Sequence, residues 1–143
     1  MIPSSSAPTA WVYARLEARG AEIVDATCPF VKRIHGLVSR AEEEGRLPII
    51  IGTPTHPEVE GIAGWCTACK IFDSADSLKK WVTEERIAAD LPICMVCQTT
   101  STENLWKLCR NFAKKQFTNL KIFDTICKAT EDRQTEAALL SRQ

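Results

Sequence analysis

The sequence predicts an α/β fold, a parallel sheet with flanking helices, on three observations. β-prone runs alternate with helical stretches along the chain, and strands that recur with helices between them need right-handed crossovers and hence a parallel sheet. The run Pro48-Ile-Ile-Ile-Gly52 reads as a buried strand. The unusual polar residues fall just past the ends of the expected strands, where open α/β sheets bind their ligands. At 143 residues the chain amounts to roughly one domain, long enough to bury a real core.

The elements follow in order. Ser4-Ser5-Ser6 between Pro3 and Pro8 reads as a loose amino end, and Ala21–Thr27 as a short β-prone run. From Phe30 to Glu44 the apolar Val31, Ile34, Leu37, Val38 and Ala41 recur at helical spacing. Pro29 suits the first turn of that helix and Gly45 its end. Strands are expected at Pro48–Gly52, Lys70–Asp73, Leu91–Cys97 and Asn119–Phe123. Ser74 is positioned to cap a helix over Leu78–Val82. Ser101 opens a helix carrying Leu105, Trp106, Leu108, Cys109 and Phe112, and Ala129–Arg142 forms the last helix. There is no internal repeat.

Eighteen basic residues balance eighteen acidic ones, which argues against a nucleic-acid-binding protein. Hydrophobic residues at 45% and charged residues at 25% are globular values. The longest aliphatic run, Leu47 to Ile51, is far short of the ~20 residues that span a bilayer. The first twenty residues carry no apolar signal-peptide core. Seven cysteines are therefore expected in a reducing cytoplasm, where metal or thiol chemistry outranks disulfides.

Four clusters meet at the expected ligand edge. Cys28 follows the first run, Thr53-Pro-Thr-His56-Pro-Glu58 the second strand, Gln98-Thr99-Thr100 the fourth and Asp124-Thr-Ile-Cys127 the fifth. Helix N-termini at that edge favour anions such as phosphate. Two thiolates are too few for a closed zinc site but suit an iron–sulfur cluster with a ligand from elsewhere. His56 and Glu58 are then candidate proton carriers. Each residue also has a plainer reading. The thiols could be inert core groups, His56 a loop cap, Glu58 a helix N-terminal carboxylate and Thr99 a strand-end cap. His35, mid-helix, reads as structural. Trp65, Trp81 and Trp106 read as packing aromatics, and Glu42-Glu43-Glu44 as an exposed helix end.

Cys66-x2-Cys69 and Cys94-x2-Cys97 raise a four-thiolate zinc module as an alternative. Cys94 and Cys97 lie within a strand pattern, however, where residues three apart point to opposite faces. A thioredoxin-like role is disfavoured because neither pair clearly opens a helix. Cys109 reads as core.

Asp25-Ala-Thr-Cys28-Pro29 with His35, Gly52-x3-His56-Pro-Glu-Val-Glu-Gly61, Gln98-Thr-Thr100 and Ile126-Cys127-x-Ala-Thr-x2-Arg133-Gln134 together resemble the LytB family of 4-hydroxy-3-methylbut-2-enyl diphosphate reductases. The resemblance runs from residue 21 to 134. It implies three α/β lobes around a central iron–sulfur (4Fe-4S) cluster, with one cysteine from each lobe. The implied reaction removes the hydroxyl of an allylic diphosphate to give isopentenyl and dimethylallyl diphosphates, in isoprenoid precursor synthesis. Electrons would come from a donor such as ferredoxin or flavodoxin.

By this resemblance Cys28 and Cys127 are metal ligands and His56 binds substrate. Glu58 delivers protons, while Thr99 contacts substrate and assists the relay. The family's amino-terminal cysteine, its Ser-His-Gly segment and its Ser-x-Asn diphosphate contacts have no counterpart here. The expectation is therefore a fragment: residues 1–27 the end of a first lobe, 28–126 a complete middle lobe and 127–143 the opening of a third. Such a piece is expected to be incomplete as a catalyst by itself. Beside the zinc module, a non-catalytic α/β fragment without a cluster is the other alternative to the reductase.

Overall fold

The computed structural model of the chain describes residues 9–141, so the Ser4–Ser6 stretch and Arg142 lie outside the described residues. Ten elements follow one another: α1 (Ala10–Glu17), α2 (Pro29–Glu43), β1 (Leu47–Ile51), α3 (Pro57–Ala63), β2 (Lys70–Phe72), α4 (Ala75–Glu84), β3 (Ile93–Cys97), α5 (Glu103–Gln116), β4 (Leu120–Ile122) and α6 (Lys128–Leu140). The four strands form one parallel sheet in the order β2-β1-β3-β4. Ile51 pairs with Cys97 at the carboxyl end of the two central strands.

The sheet is covered on both faces, and the side-chain alternation of the strands divides the core into two layers. Ile49, Ile51, Ile93, Met95 and Cys97 pack with Leu78, Trp81 and Val82 of α4 and Trp106, Cys109 and Ala113 of α5. Ile50, Cys94 and Val96 face the other way, onto Ile34, Leu37, Val38 and Ala41 of α2 and Val59 and Ile62 of α3. Both central strands are accordingly apolar without a break, as strands buried on two faces must be.

Capping chemistry sets the helix ends. Gly45, at φ +71°, closes α2 with paired bonds from Gly45 N to Glu42 O and Arg46 N to Ala41 O, the arrangement a left-handed glycine permits. Ser74 Oγ accepts from Ser77 N at the start of α4. The start of α5 lies one residue later than Ser101 suggests: Thr102 is the cap, accepting from Leu105 N.

Two features depart from the sequence reading. Ala21–Thr27 is not a strand. Its polar groups are used locally, with Thr27 N donating to Asp25 Oδ1 at 2.9 Å and Lys32 Nζ lying 2.6 Å from Asp25 Oδ2. The sheet thus has four strands rather than five. Helices α1 and α3 were not foreseen as elements. Both are short, and α3 begins inside the Thr53–Glu58 motif. Among the described residues no helix is long and apolar enough to cross a membrane.

His35 is structural in the expected way. It is buried on α2 and its ring stacks on Trp65, 5.2 Å between centroids at 18°. It borders a cavity of about 410 Å³ shared with Tyr13, Asp25, Lys32 and Arg40. Burial pushes the imidazole pKa down to about 4, with Asp25 pulling it up and Lys32 adding to the depression. The unfolded chain therefore takes up this proton first as pH falls from 6.5, the ordinary value, towards 4. Stability is complete above that window and declines through it, by about 2 kcal/mol once solvent in the cavity is allowed for. Urea midpoints measured across the window should show this slope, and His35→Gln should flatten it.

Candidate functional site

In a doubly wound sheet the strand order reverses at one point, and the crevice there is where ligands bind. In the order β2-β1-β3-β4 that point lies between β1 and β3. The loops leaving these two strands carry Thr53–Glu58 and Gln98–Thr100, so the polar motifs meet at the switch point.

Glu58 and Thr99 join across it. Thr99 N donates to Glu58 Oε1 at 2.7 Å, and Thr99 Oγ1 donates to Glu58 Oε2 at 2.8 Å. The carboxylate is half-buried and Thr99 buried. Cys127 N donates to Thr99 O at 2.9 Å, so Thr99 connects the carboxylate to a cysteine. His56 caps α3, its Nδ1 accepting from Glu58 N at 3.1 Å. An imidazole that accepts at Nδ1 carries its proton on Nε2, which leaves an N–H donor free for a ligand.

Cys28 and Cys127 are the N-cap residues of α2 and α6. Cys28 is exposed and Cys127 half-buried. In a parallel α/β unit the helix before a strand runs against it, which puts the N-terminus of α2 at the carboxyl edge of β1. Cys94, Cys97 and Cys109 are different: burial pushes their thiols up to about 11, 12 and 11, the behaviour of inert core cysteines. Among the described residues no hydrogen bond joins Cys28 to the Glu58–Thr99 group, and no three His, Cys, Asp or Glu side chains gather closely enough to hold a metal ion. Two accessible soft thiols fit part of an iron–sulfur ligand set.

Three residues of the quoted motifs have supporting roles that the sequence did not assign. Gln98 spans the crevice floor, its Oε1 accepting from Thr53 N at 3.0 Å and its Nε2 donating to Thr100 Oγ1 at 2.8 Å. Thr125 Oγ1 accepts from Cys97 N at 2.8 Å and donates to Cys97 O at 2.5 Å, holding the segment before Cys127 against β3. Gly52 leaves room for Gln98. A Cβ there would stand 2.7 Å from Gln98 Oε1, 2.8 Å from its Cβ and 3.0 Å from Val59 Cγ2. Gly52→Ala is therefore expected to cost about 1–3 kcal/mol by overpacking, read as a lower urea midpoint with an unchanged slope.

The zinc alternative fails on geometry. Cys94 packs in the α2–α3 layer and Cys97 in the α4–α5 layer, both buried. Residues on opposite faces of one strand cannot share an ion, so the two pairs cannot build a four-thiolate site.

Fold and site together define an α/β protein with a thiol, carboxylate and imidazole site at the topological switch point. A profile of the LytB protein family matches residues 4–143, and the chain belongs to that family. It is 36% identical over 132 residues to the 4-hydroxy-3-methylbut-2-enyl diphosphate reductase of Alkaliphilus oremlandii, covering 92% of this chain and 46% of that relative. The same-named protein of Thermoanaerobacter sp. (strain X514) is 37% identical over 136 residues, covering 92% and 44%.

Two solved structures agree in fold. A structure of (E)-4-hydroxy-3-methyl-but-2-enyl diphosphate reductase, described as the terminal enzyme of the non-mevalonate pathway, superposes with TM-score 0.71 at 28% identity, covering 90% of this chain and 45% of its own. That of the Plasmodium falciparum E-1-hydroxy-2-methyl-but-2-enyl-4-diphosphate reductase gives 0.80 at 25% identity, covering 92% and 41%. The chain thus spans less than half the length of these relatives.

Proposed function

We propose that this chain supplies the central lobe of an iron–sulfur reductase that removes the allylic hydroxyl of 4-hydroxy-3-methylbut-2-enyl diphosphate, giving isopentenyl and dimethylallyl diphosphates. The observation that carries the reading is the two-bond contact of Glu58 with Thr99 at the switch point, with Cys127 tied to Thr99 through its amide. A carboxylate held in this way is a proton carrier beside a thiol ligand.

Cys28 and Cys127 would supply two of the ligands of a 4Fe-4S cluster. When bound, the cluster supplies a Lewis acid and a path for electrons, here from a donor such as ferredoxin or flavodoxin. The remaining chemistry belongs to the chain. Exchanging C–OH for C–H consumes two electrons and two protons, one proton leaving with the oxygen as water and one adding to carbon. Glu58, once protonated, passes its proton along the Thr99 hydroxyl, whose oxygen is already 2.8 Å from the carboxylate. His56 offers its Nε2–H to an oxygen of the substrate.

The lobe boundaries at residues 27 and 127 have support from packing. No residue of α1 is fully buried, and the described side chains of α6 are exposed, Leu139 and Leu140 by 61% and 62%. Both helices present surface for neighbouring lobes. We place the protein in the cytoplasm, where thiol ligands stay reduced. The reading is tested by grafting residues 21–134 in place of the matching segment of the Alkaliphilus oremlandii reductase and assaying anaerobic conversion of the allylic diphosphate with a reduced viologen. Turnover is expected. A folded chimera that binds iron but forms neither product contradicts it.

A further inference from the structure

We propose that Cys66 and Cys69 form a redox-active dithiol, oxidised to an intraloop disulfide by small-molecule disulfides such as glutathione disulfide. This rests on residues outside the reductase site and does not depend on that reading. The two cysteines occupy the bend between α3 and β2, and Cys69 leads directly into Lys70 of β2. Both are free thiols and half-buried, which separates them from the enclosed Cys94, Cys97 and Cys109. Both pack on the α2–α3 core layer.

The bend is held from α2. Glu42 Oε1 accepts from Thr67 N at 2.7 Å and from Ala68 N at 3.2 Å, and also from the Thr67 hydroxyl. The two residues between the cysteines are thereby fixed. Cys66 Sγ also donates to Ala63 O at 3.5 Å. With Thr67 and Ala68 already held by Glu42, part of the ordering cost of closing a disulfide across them is already met. Half-buried Glu42, expected on sequence to be only part of an exposed helix end, is the device that holds this bend.

The thiols have unequal roles. The neighbouring Cys66 thiol draws the Cys69 pKa down, against burial and the Glu42 charge. The same pairing, burial and the Cys69 charge push Cys66 up. The thiolate is the attacking form, so the lowered thiol leads. Cys69 thiolate therefore attacks one sulfur of glutathione disulfide, forming a Cys69–glutathione bond and expelling glutathione thiolate. Cys66 then loses its proton to solvent and attacks Cys69 Sγ, expelling the second glutathione. Two protein thiols lose two electrons and two protons, and one glutathione disulfide becomes two thiols. The bend closed in this way follows α3 by three residues, and α3 carries His56 and Glu58 at its other end.

The test is to incubate the chain with glutathione disulfide, block remaining thiols with an alkylating reagent, and map the peptides by mass spectrometry. Cys66 and Cys69 are expected to escape alkylation together, joined to each other. Cys66→Ser should leave Cys69 able to take up glutathione but unable to close the disulfide, and Cys69→Ser should abolish the disulfide likewise. Recovery of both cysteines alkylated, under conditions that add glutathione to exposed Cys28, would overturn the proposal. So would a disulfide that joins either cysteine to a different thiol of the chain. The wild-type mapping alone decides the first point if either variant fails to fold.

Discussion

Glu58→Gln is expected to lower turnover of the allylic diphosphate by roughly 10²- to 10⁴-fold, the usual worth of a positioned general acid, while leaving the fold in place. The geometry explains both halves. A glutamine amide is the same shape, and its oxygen can still accept from Thr99 N, as Glu58 Oε1 does at 2.7 Å. Its nitrogen can then donate to Thr99 Oγ1, reversing the bond now directed at Oε2. What it cannot do is carry an exchangeable acidic proton. In the chimera, Glu58→Gln should reduce product formation without changing iron content or the urea midpoint. Thr99→Val, which keeps the amide bond and the shape but loses the hydroxyl, should give a smaller defect in the same direction. An activity loss accompanied by loss of iron would instead make Glu58 a support for the Cys127 segment.

The second large effect is on stability. Trp106 is 1% exposed and fills the layer between α5 and the sheet, among Ile49, Ile51, Met95 and Cys97. Trp106→Ala removes a whole indole from this layer and should cost about 3–5 kcal/mol, a large fraction of the ~5–15 kcal/mol that holds a domain together. Trp106→Phe should cost much less. Among the described residues the indole Nε1 has no hydrogen-bond partner, so the smaller ring gives up an unpaired polar group along with the volume. Urea unfolding of the two variants checks the ratio. Similar losses for both would mean that the indole N–H is satisfied.

The parallel sheet was legible because its two central strands are apolar throughout and its helices announce their ends with proline, serine and glycine. That Glu58 and Thr99 meet at the strand mouths, with His56 and Cys127 bonded to them, was legible for a related reason. A βα unit exposes only its loops, so polar residues that break a buried pattern have one place to go. The run Ala21–Thr27 misled because β propensity is a property of side chains, whereas a strand also needs a neighbour to pair with. Asp25 turned that segment to local bonds instead. Gln98, Thr125 and Glu42 were hidden because their roles are long-range. Gln98 reaches back to Thr53, Thr125 to Cys97 and Glu42 forward to Thr67, and no local pattern marks a side chain whose partner is decades of residues away. The faces of Cys94 and Cys97, by contrast, followed from the strand period alone.

The most direct test of the central claim counts iron, acid-labile sulfide and zinc in the chain purified without oxygen and reconstituted with a small thiol to fill the remaining coordination. Iron with matching sulfide is expected. It should be lost when Cys28→Ser and Cys127→Ser are combined and kept when Cys66→Ser and Cys69→Ser are combined. A folded chain that takes up no iron, or one whose iron survives loss of Cys28 and Cys127, would contradict the assignment of these two cysteines as cluster ligands.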